Sequence, residues 1–445
     1  MKPNGITIIG FGRFGKTLYK LLSKDYKVTI HSHNLDKDRL LENAPDAIFA
    51  KDVSAAYINN TVFFAVPISA FESIIAQHQK YFEARHILID VLSVKVHPEK
   101  ILLKALNSLN TQAILTHPMF GPDSSQKGFD GLPIVMNQFK ASDKTYQYWK
   151  NYFSQKNLTV IEMSPDEHDK TAASSQGLTH FIGRLLEQFK INDTEIGTAG
   201  SRQLLTIERQ TVRDTWQLFN DLQHYNPYTT NMRLKLGRAY NIVYNKLLPA
   251  QVSKDLLTIG IQGGRGSFNE EAILIWLKKS EITHYKIIYL YTSKRVLSAL
   301  HQGKIDRGQF AIHNSVGGIV DESIAAMSGY TFSIIEEFAI KISHSLMIRS
   351  DANFSDVTTI MAHPQVFAQC RKTLPKKYPK LQFTSGKGDL IDHANVARQL
   401  SLHKLSKDIG VMGSKVLADM YNLTIIEDNL QDAQNNFTSF LVVSR

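Results

Sequence analysis

The sequence predicts an α/β protein of more than one domain, and three observations carry that expectation. Short β-branched runs alternate with helical patterns over residues 5–155 and again from residue 256 onward. A glycine turn, Gly10-Phe11-Gly12-Arg13-Phe14-Gly15, joins the first strand-like run to the first helical one. Between the two α/β stretches the strand-like runs stop, and helical periodicity holds from about Ser164 to Leu248, broken near Asn226-Pro227. Strands separated by helical patterns are the signature of βαβ units. Three segments are therefore expected: 1–155, 156–250 and 251–445.

The bulk numbers bound the class. A chain of 445 residues is too long for one core. Hydrophobic residues at 43% and charged residues at 21% are ordinary for a soluble globular protein and exclude a disordered or fibrous chain. No stretch approaches the roughly 18 apolar residues of a membrane span, so neither a span nor a secretory leader is expected. The single cysteine, Cys370, excludes an internal disulfide and fits a cytoplasmic location. A formal net charge of +10 suits nucleic acid, an anionic membrane or small anions. The basic residues are scattered, and none of their runs interleaves aromatics as a stacking platform would. Small anionic ligands are expected as partners, and nucleic acid and membrane are not.

In the first segment the strand candidates are residues 6–9, 27–30, 61–64 and 86–90. The glycine turn follows the first of them and opens a helix. Its first glycine permits the tight turn, its second lets backbone approach a pyrophosphate, and its third allows close helix–strand packing. This predicts a Rossmann dinucleotide-binding domain. The cofactor-binding candidates are Gly10, Gly12, Arg13, Phe14 and Gly15, with Ser32 and His33 after the second strand and Val66 and Pro67 after the third. The second strand ends His31-Ser32-His33-Asn34, with no acid before Asp36 and with Lys37 and Arg39 following. A missing acid and nearby cations suit a 2′-phosphate, so the cofactor is NADP or NAD, with the balance toward NADP.

Two stretches close the next strands: Asp90-Val91-Leu92-Ser93-Val94-Lys95 and Thr116-His117-Pro118-Met119-Phe120-Gly121-Pro122. Ligands of open α/β sheets sit at the carboxyl ends of strands, so Ser93 and His117 should face the crevice. Asp166-Glu167-His168-Asp169-Lys170 follows, with Gln176 and His180 one helical turn apart behind it. Together with Leu218-Phe219-Asn220-Asp221-Leu222 and Asn226-Pro227, these motifs resemble the prephenate and arogenate dehydrogenases over residues 5 to about 245. The resemblance implies a ring alcohol oxidised by a nicotinamide while CO2 leaves. It makes His117 the base and Ser93 the residue that orients the hydroxyl. It also implies a helix-borne arginine for a substrate carboxylate: Arg209, with Arg202 the second choice. His180 and Gln176 would line the substrate pocket, while His168 reads equally as a direct participant or an ordinary helix-start histidine. The helical segment would close the site and form a homodimer.

The third segment opens with Gln262-Gly263-Gly264-Arg265-Gly266-Ser267-Phe268, whose spacing is neither a Walker loop nor a Rossmann fingerprint. With Asn314-Ser315-Val316-Gly317-Gly318, Ala362-His363-Pro364-Gln365, Gln369-Cys370 and Asn436-Phe437-Thr438-Ser439-Phe440, it resembles the prephenate dehydratases over residues 257–445. That resemblance implies a two-lobed α/β fold, like the periplasmic binding proteins, with a cleft between lobes. It makes Thr438 the proton donor to the departing hydroxyl and has Asn314, Ser315 and Gln369 hold substrate. Three positions depart from the family: His313 stands for glutamate, Ser439 for arginine and Ala362 for serine. Three departures in one cleft point to changed chemistry. The segment is then a dehydratase or a ligand-sensing module. No metal site is expected: His31 and His33 are the only closely spaced histidines, with no HExxH or cysteine set.

Overall fold

The strand Gly5–Ile9 (β1) buries Ile6, Thr7, Ile8 and Ile9 in succession, a pattern that only a sheet covered on both faces accommodates. The computed structural model describes residues 3, 5–33, 42–387, 390 and 393–445. β1 lies inside an eight-stranded sheet of order β3-β2-β1-β4-β5-β6-β7-β8. The other strands are β2 (Lys27–His31), β3 (Ile48–Phe49), β4 (Thr61–Phe64), β5 (Ile87–Asp90), β6 (Gln112–Pro118), β7 (Pro133–Lys140) and β8 (Thr159–Glu162). β1 pairs in parallel with both β2 and β4, and the order reverses there. That is the doubly wound arrangement, whose crevice opens at the carboxyl ends of the strands.

Helices α1 (Arg13–Leu22), α2 (Val53–Ala56), α3 (Phe71–His78), α4 (Val96–Ala105) and α5 (Asp143–Gln155) accompany the sheet. One core gathers Leu18, Leu22, Trp149 and Phe153, and the other gathers Phe71, Ile75 and Leu102. The sequence pattern anticipates parallel strands, and β1 to β6 are parallel. β7 runs antiparallel to β6. No helix lies in the connection 119–132, and without a crossover element the returning strand must reverse direction.

The helical segment consists of α6 (Pro165–Ala172), a π-turn at Ala173–Gly177, and then α7 (Leu178–Phe189), α8 (Ala199–Val212), α9 (Trp216–Tyr225) and α10 (Thr229–Lys246). A capping box starts α6: Ser164 Oγ accepts from the Glu167 amide, and Glu167 returns a carboxylate to the Ser164 amide. The pair α7 and α8 packs tightly because Gly183 has no side chain. A Cβ there would lie 1.8 Å from Thr211 Oγ1.

The chain divides into two compact units, Met1–Tyr240 and Asn241–Arg445. The helical segment up to Tyr240 clusters with the first unit, and the division falls inside α10. The last turns of α10 pack within unit 2: the Tyr244 hydroxyl donates to the His301 carbonyl at 2.8 Å, and Arg445 Nε donates to Asn245 Oδ1 at 2.7 Å.

Unit 2 has two sheets. One contains Leu257–Ile261 (β9), Tyr285–Tyr289 (β10) and Gly318–Ile319 (β12), and the other Thr359–Met361 (β15), Gln382–Thr384 (β16) and Ile409–Gly413 (β17). The strands used below are β11 (Arg307–Asn314), β13 (Ser333–Lys341), β14 (Ser345–Arg349), β18 (Leu423–Glu427) and β19 (Phe437–Ser444). The chain crosses between sheets twice, from β13 to β14 and from β18 back to β19. The crossings are bonded side by side, Ile342 N to the Asn436 carbonyl at 2.7 Å and Leu430 N to the His344 carbonyl at 3.1 Å. This is the two-lobed form. No helix among the described residues is long and apolar enough to cross a membrane.

The glycine turn yields a paired prediction. A Cβ on Gly15 would lie 2.4 Å from the Gly10 carbonyl, whereas a Cβ on Gly12 would meet nothing within 4 Å. Gly15→Ala should destabilise unit 1 by about 1–3 kcal/mol, as overpacking does, and lower its thermal transition. Gly12→Ala should leave that transition unmoved. Scanning calorimetry of both variants checks the contrast.

Candidate active site

The carboxyl ends of β5 and β6 are joined by a sealed ion pair. Lys95 and Asp90 are both buried, the Lys95 ammonium pairs with the Asp90 carboxylate, and it also donates to the Thr116 carbonyl. Asp90 further accepts from the Leu92 and Thr116 amides at 3.1 and 3.2 Å. Burial pushes the Asp90 carboxyl up and the Lys95 ammonium down, and each opposes the other's shift by attraction. The loop that carries Ser93 is pinned by this pair on one side. On the other side, Asp169 accepts from the Lys95 amide at 2.7 Å and the Val96 amide at 3.0 Å.

His117, near the end of β6, is 2% exposed. Its Nδ1 lies 2.8 Å from His168 Nε2, and His168 Nδ1 lies 2.8 Å from Asp169 Oδ1. The carboxylate can only accept, so His168 carries its proton on Nδ1. Its Nε2 then accepts from His117 Nδ1, which leaves the lone pair of His117 on Nε2. Burial, aided by His168 and Lys95, holds His117 well below the usual histidine value. The arrangement is a neutral base with a two-step relay behind it.

The glycine turn has the geometry of a dinucleotide cradle. Gly10 has φ +92, and a Cβ there would lie 2.2 Å from the Ala65 carbonyl and 3.0 Å from Val66 Cγ1. Open space beside Gly12 at the N-terminus of α1 is what a pyrophosphate requires, so the turn fits such a group. Phe14 packs on Phe120 at 6.3 Å between ring centres. Pro67 is exposed, and the turn after it is held by Asp221, which accepts from the Ser69 amide at 3.0 Å and its hydroxyl at 2.9 Å. Ser32 and His33 lie just past the end of β2, partly buried and exposed respectively. Asn34, Asp36, Lys37 and Arg39 lie outside the described residues. Arg13, a cofactor-binding candidate, directs its guanidinium to Asp123 and Asp214.

Helix α7 and the π-turn bring Gln176, His180 and Arg184 into succession, four residues apart. Gln176 Oε1, His180 Nδ1 and Arg184 Nε are all buried without a hydrogen-bond partner among the described residues. Asp214 Oδ2 is 3.9 Å from His180 Nδ1, and burial lowers His180, an effect that Asp214 opposes and Arg184 reinforces. Arg184 donates to the Asp214 carbonyl at 2.5 Å and stacks on Trp216 at 4.4 Å. Arg202 and Arg209 are exposed on α8, and neither forms an ion pair among the described residues. The cation beside His180 is Arg184. It escaped the sequence reading, although it stands one turn beyond His180 in the same helical pattern.

In unit 2 the expected residues form one chain. Asn314 Nδ2 donates to Thr438 Oγ1 at 2.8 Å and to Asn436 Oδ1 at 2.7 Å. Asn436 Nδ2 donates to Gln369 Oε1 at 2.9 Å, and His344 Nε2 donates to the same oxygen at 2.9 Å. Ser315 Oγ accepts from the Phe437 amide at 2.8 Å. The three departures lie elsewhere. His313 and Ser439 are cross-strand partners, directly opposite each other between β11 and β19. Their neighbours Asn314 and Thr438 meet on one face, so these two side chains project from the other. Ala362 is 1% exposed in a core with Ile360, Val366 and Cys370. The expectation of three substitutions in one cleft is thereby corrected.

Asp90, Lys95 and Asp169 also went unassigned in the sequence. Their signal was present, as an acid closing β5 and as the residue after His168, but only the fold brings them together. Among the described residues no group of three or more His, Cys, Asp or Glu side chains is gathered to hold a metal.

Known families match three stretches of the chain. These are the prephenate dehydrogenase nucleotide-binding domain over residues 23–162, the TYRAAT1-like C-terminal domain over 185–256 and prephenate dehydratase over 259–445. Arogenate dehydrogenase 2, chloroplastic, of Arabidopsis thaliana is 30% identical over 258 residues, which are 54% of this chain and 69% of that protein. Arogenate dehydratase/prephenate dehydratase 2, chloroplastic, of the same plant is 26% identical over 209 residues, 45% of this chain and 52% of that one. A solved structure, Synechocystis arogenate dehydrogenase, is 14% identical with a TM-score of 0.41, covering 62% of this chain and 98% of that one.

Because burial disfavours the charged ring, His117 binds a proton only at a pH well below the ordinary histidine value. In a histidine NMR titration its ring should stay neutral, with the proton on Nδ1, from pH 8 down through about 6.5. A midpoint at or above that value would contradict the sealed relay.

Proposed function

Since the chain belongs to the prephenate and arogenate dehydrogenase family, with a prephenate dehydratase domain in its second half, we propose that unit 1 oxidises and decarboxylates prephenate or arogenate. The observation that carries this reading is the His117–His168–Asp169 relay at the carboxyl end of β6. A nicotinamide bound at the glycine turn would accept the hydride from the ring carbinol. His117 Nε2 takes the hydroxyl proton as the C–H electrons leave. The carboxylate then departs as CO2, its bonding electrons make the ring aromatic, and the proton returns to the phenolate oxygen. No proton is consumed overall, so the base only stores one, and Asp169 supports the charge through His168 meanwhile.

Substrate carboxylate would meet the stripe of Gln176, His180 and Arg184, in which one buried polar atom of each lacks a partner among the described residues. Arg209 and Arg202, exposed on α8, stay candidates for the same carboxylate. The helical segment supports a homodimer. Of the 18 residues of α10 only Thr229 is buried, while Leu234, Tyr240, Ile242 and Val243 are exposed, and a helix so bare gains its stability from packing. We favour NADP over NAD because the end of β2 offers Ser32 and His33 and no acid.

A second reading, dehydratase activity in unit 2, is favoured by the unbroken chain from Thr438 through Asn314 and Asn436 to Gln369. Thr438 Oγ1 accepts from Asn314, which leaves its O–H for a departing hydroxyl. A solvent proton then ends in water as CO2 leaves.

One assay matrix tests both readings: prephenate and arogenate, each with NAD and NADP, followed for reduced nicotinamide and for phenylpyruvate. His117→Asn should lower dehydrogenase turnover about 10²–10⁴-fold, the usual effect of losing a general base. Near-normal turnover would refute the assignment. Phenylpyruvate should form in the absence of nicotinamide and vanish in Thr438→Ala. Ligand binding without phenylpyruvate would instead identify a sensing module.

A further inference from the structure

We propose that Arg13 is the interlock between the cofactor and substrate halves of the unit 1 site, a positioning residue rather than a phosphate ligand. Its guanidinium reaches Asp123 Oδ2 at 3.1 Å, in the loop that follows His117. It also reaches Asp214 Oδ1 at 3.0 Å and the Arg213 carbonyl at 3.1 Å, in the turn between α8 and α9. These partners lie 110, 201 and 200 residues away in sequence. The Asp214 turn is gripped from inside by Arg184 and stands beside His180. One side chain carried by the glycine turn thus spans two loops, one leading from the base and the other touching the carboxylate stripe.

A lone exposed ion pair contributes little. A guanidinium fork that holds two carboxylates and a carbonyl at once fixes geometry, which a point charge cannot do. A dinucleotide settling over Gly12 orders the glycine turn and, through Arg13, both loops. A ring acid that arrives second meets loops already in place, so each ligand tightens the other, by the same factor in either direction. The inference rests on unit 1 holding a nicotinamide dinucleotide beside a ring acid, as set out above.

Calorimetric titration of the full chain with NADP and with NAD, with and without 4-hydroxyphenylpyruvate or tyrosine, provides the test. In the unaltered chain the ring acid should tighten nucleotide binding about fivefold or more, within the usual range of coupling. Arg13→Gln should reduce that factor below about twofold while nucleotide alone binds within about threefold of normal. Arg13→Lys, which reaches one acid but not both, should fall between, and Asp123→Asn should weaken the coupling without touching the glycine turn. Undiminished coupling in Arg13→Gln overturns the interlock. So does a loss of about tenfold or more in affinity for nucleotide alone, which would make Arg13 a phosphate ligand. An unaltered chain that binds both ligands without coupling overturns the interlock alone. A chain that binds neither nucleotide overturns the reading of unit 1 on which it rests.

Discussion

A carboxylate removed from water must find donors for its lone pairs, and the arrangement of unit 1 follows from how Asp169 finds them. It takes two from the backbone at Lys95 and Val96 and one from His168. The backbone donors hold the start of α4 and the Ser93 loop against α6. The imidazole donor decides which nitrogen of His168 is bare, and so which nitrogen of His117 carries the lone pair. Asn226 then bonds the Asp169 carbonyl at 2.8 Å and ties the end of α9 to the same point. Removing one member of such a buried charged group typically costs about 3–5 kcal/mol, because its partners are left stranded.

The two candidate sites solve the same problem in opposite ways. Unit 1 seals formal charges, Asp90 against Lys95 and Asp169 against a histidine pair, and burial, aided by His168 and Lys95, keeps its base neutral. Unit 2 strings neutral side chains from Thr438 to His344, where burial costs less than it does for a formal charge. The amide chain also runs along the paired crossings between lobes, so the groups that would touch a ligand also hold the lobes in register.

Much of this was legible in the residues. The glycine turn, the strand alternation and His117 at a strand end follow from local pattern, and the two-lobed form followed from motif resemblance. Three things were not legible. The reversal at β7 depends on the absence of a crossover helix, which periodicity cannot weigh against a long loop. The cation beside His180, Arg184, carries no mark in sequence, because its burial on Trp216 is a tertiary fact. The three departures in unit 2 read as one lesion because sequence neighbours look like spatial neighbours. Alternation along β19 turns Ser439 away from the face that Thr438 occupies.

The π-turn at Ala173–Gly177 is braced from outside: Gln223 Nε2 donates to the Gly177 carbonyl at 2.9 Å, and a Cβ on Gly177 would lie 3.3 Å from Thr229 Cγ2. Its consequence is angular. At about 100° per residue, an unbroken α-helix would set His180 about 120° around the axis from His168, whereas one residue absorbed in the wider turn reduces the offset to about 20°. The extra residue therefore works as a phase shifter, aligning two histidines that the ordinary helical period would send to different faces. Insertions and deletions are commonly tolerated where loops can absorb them. Here a single-residue deletion in the π-turn would keep both His168 and His180 and still turn them to different faces.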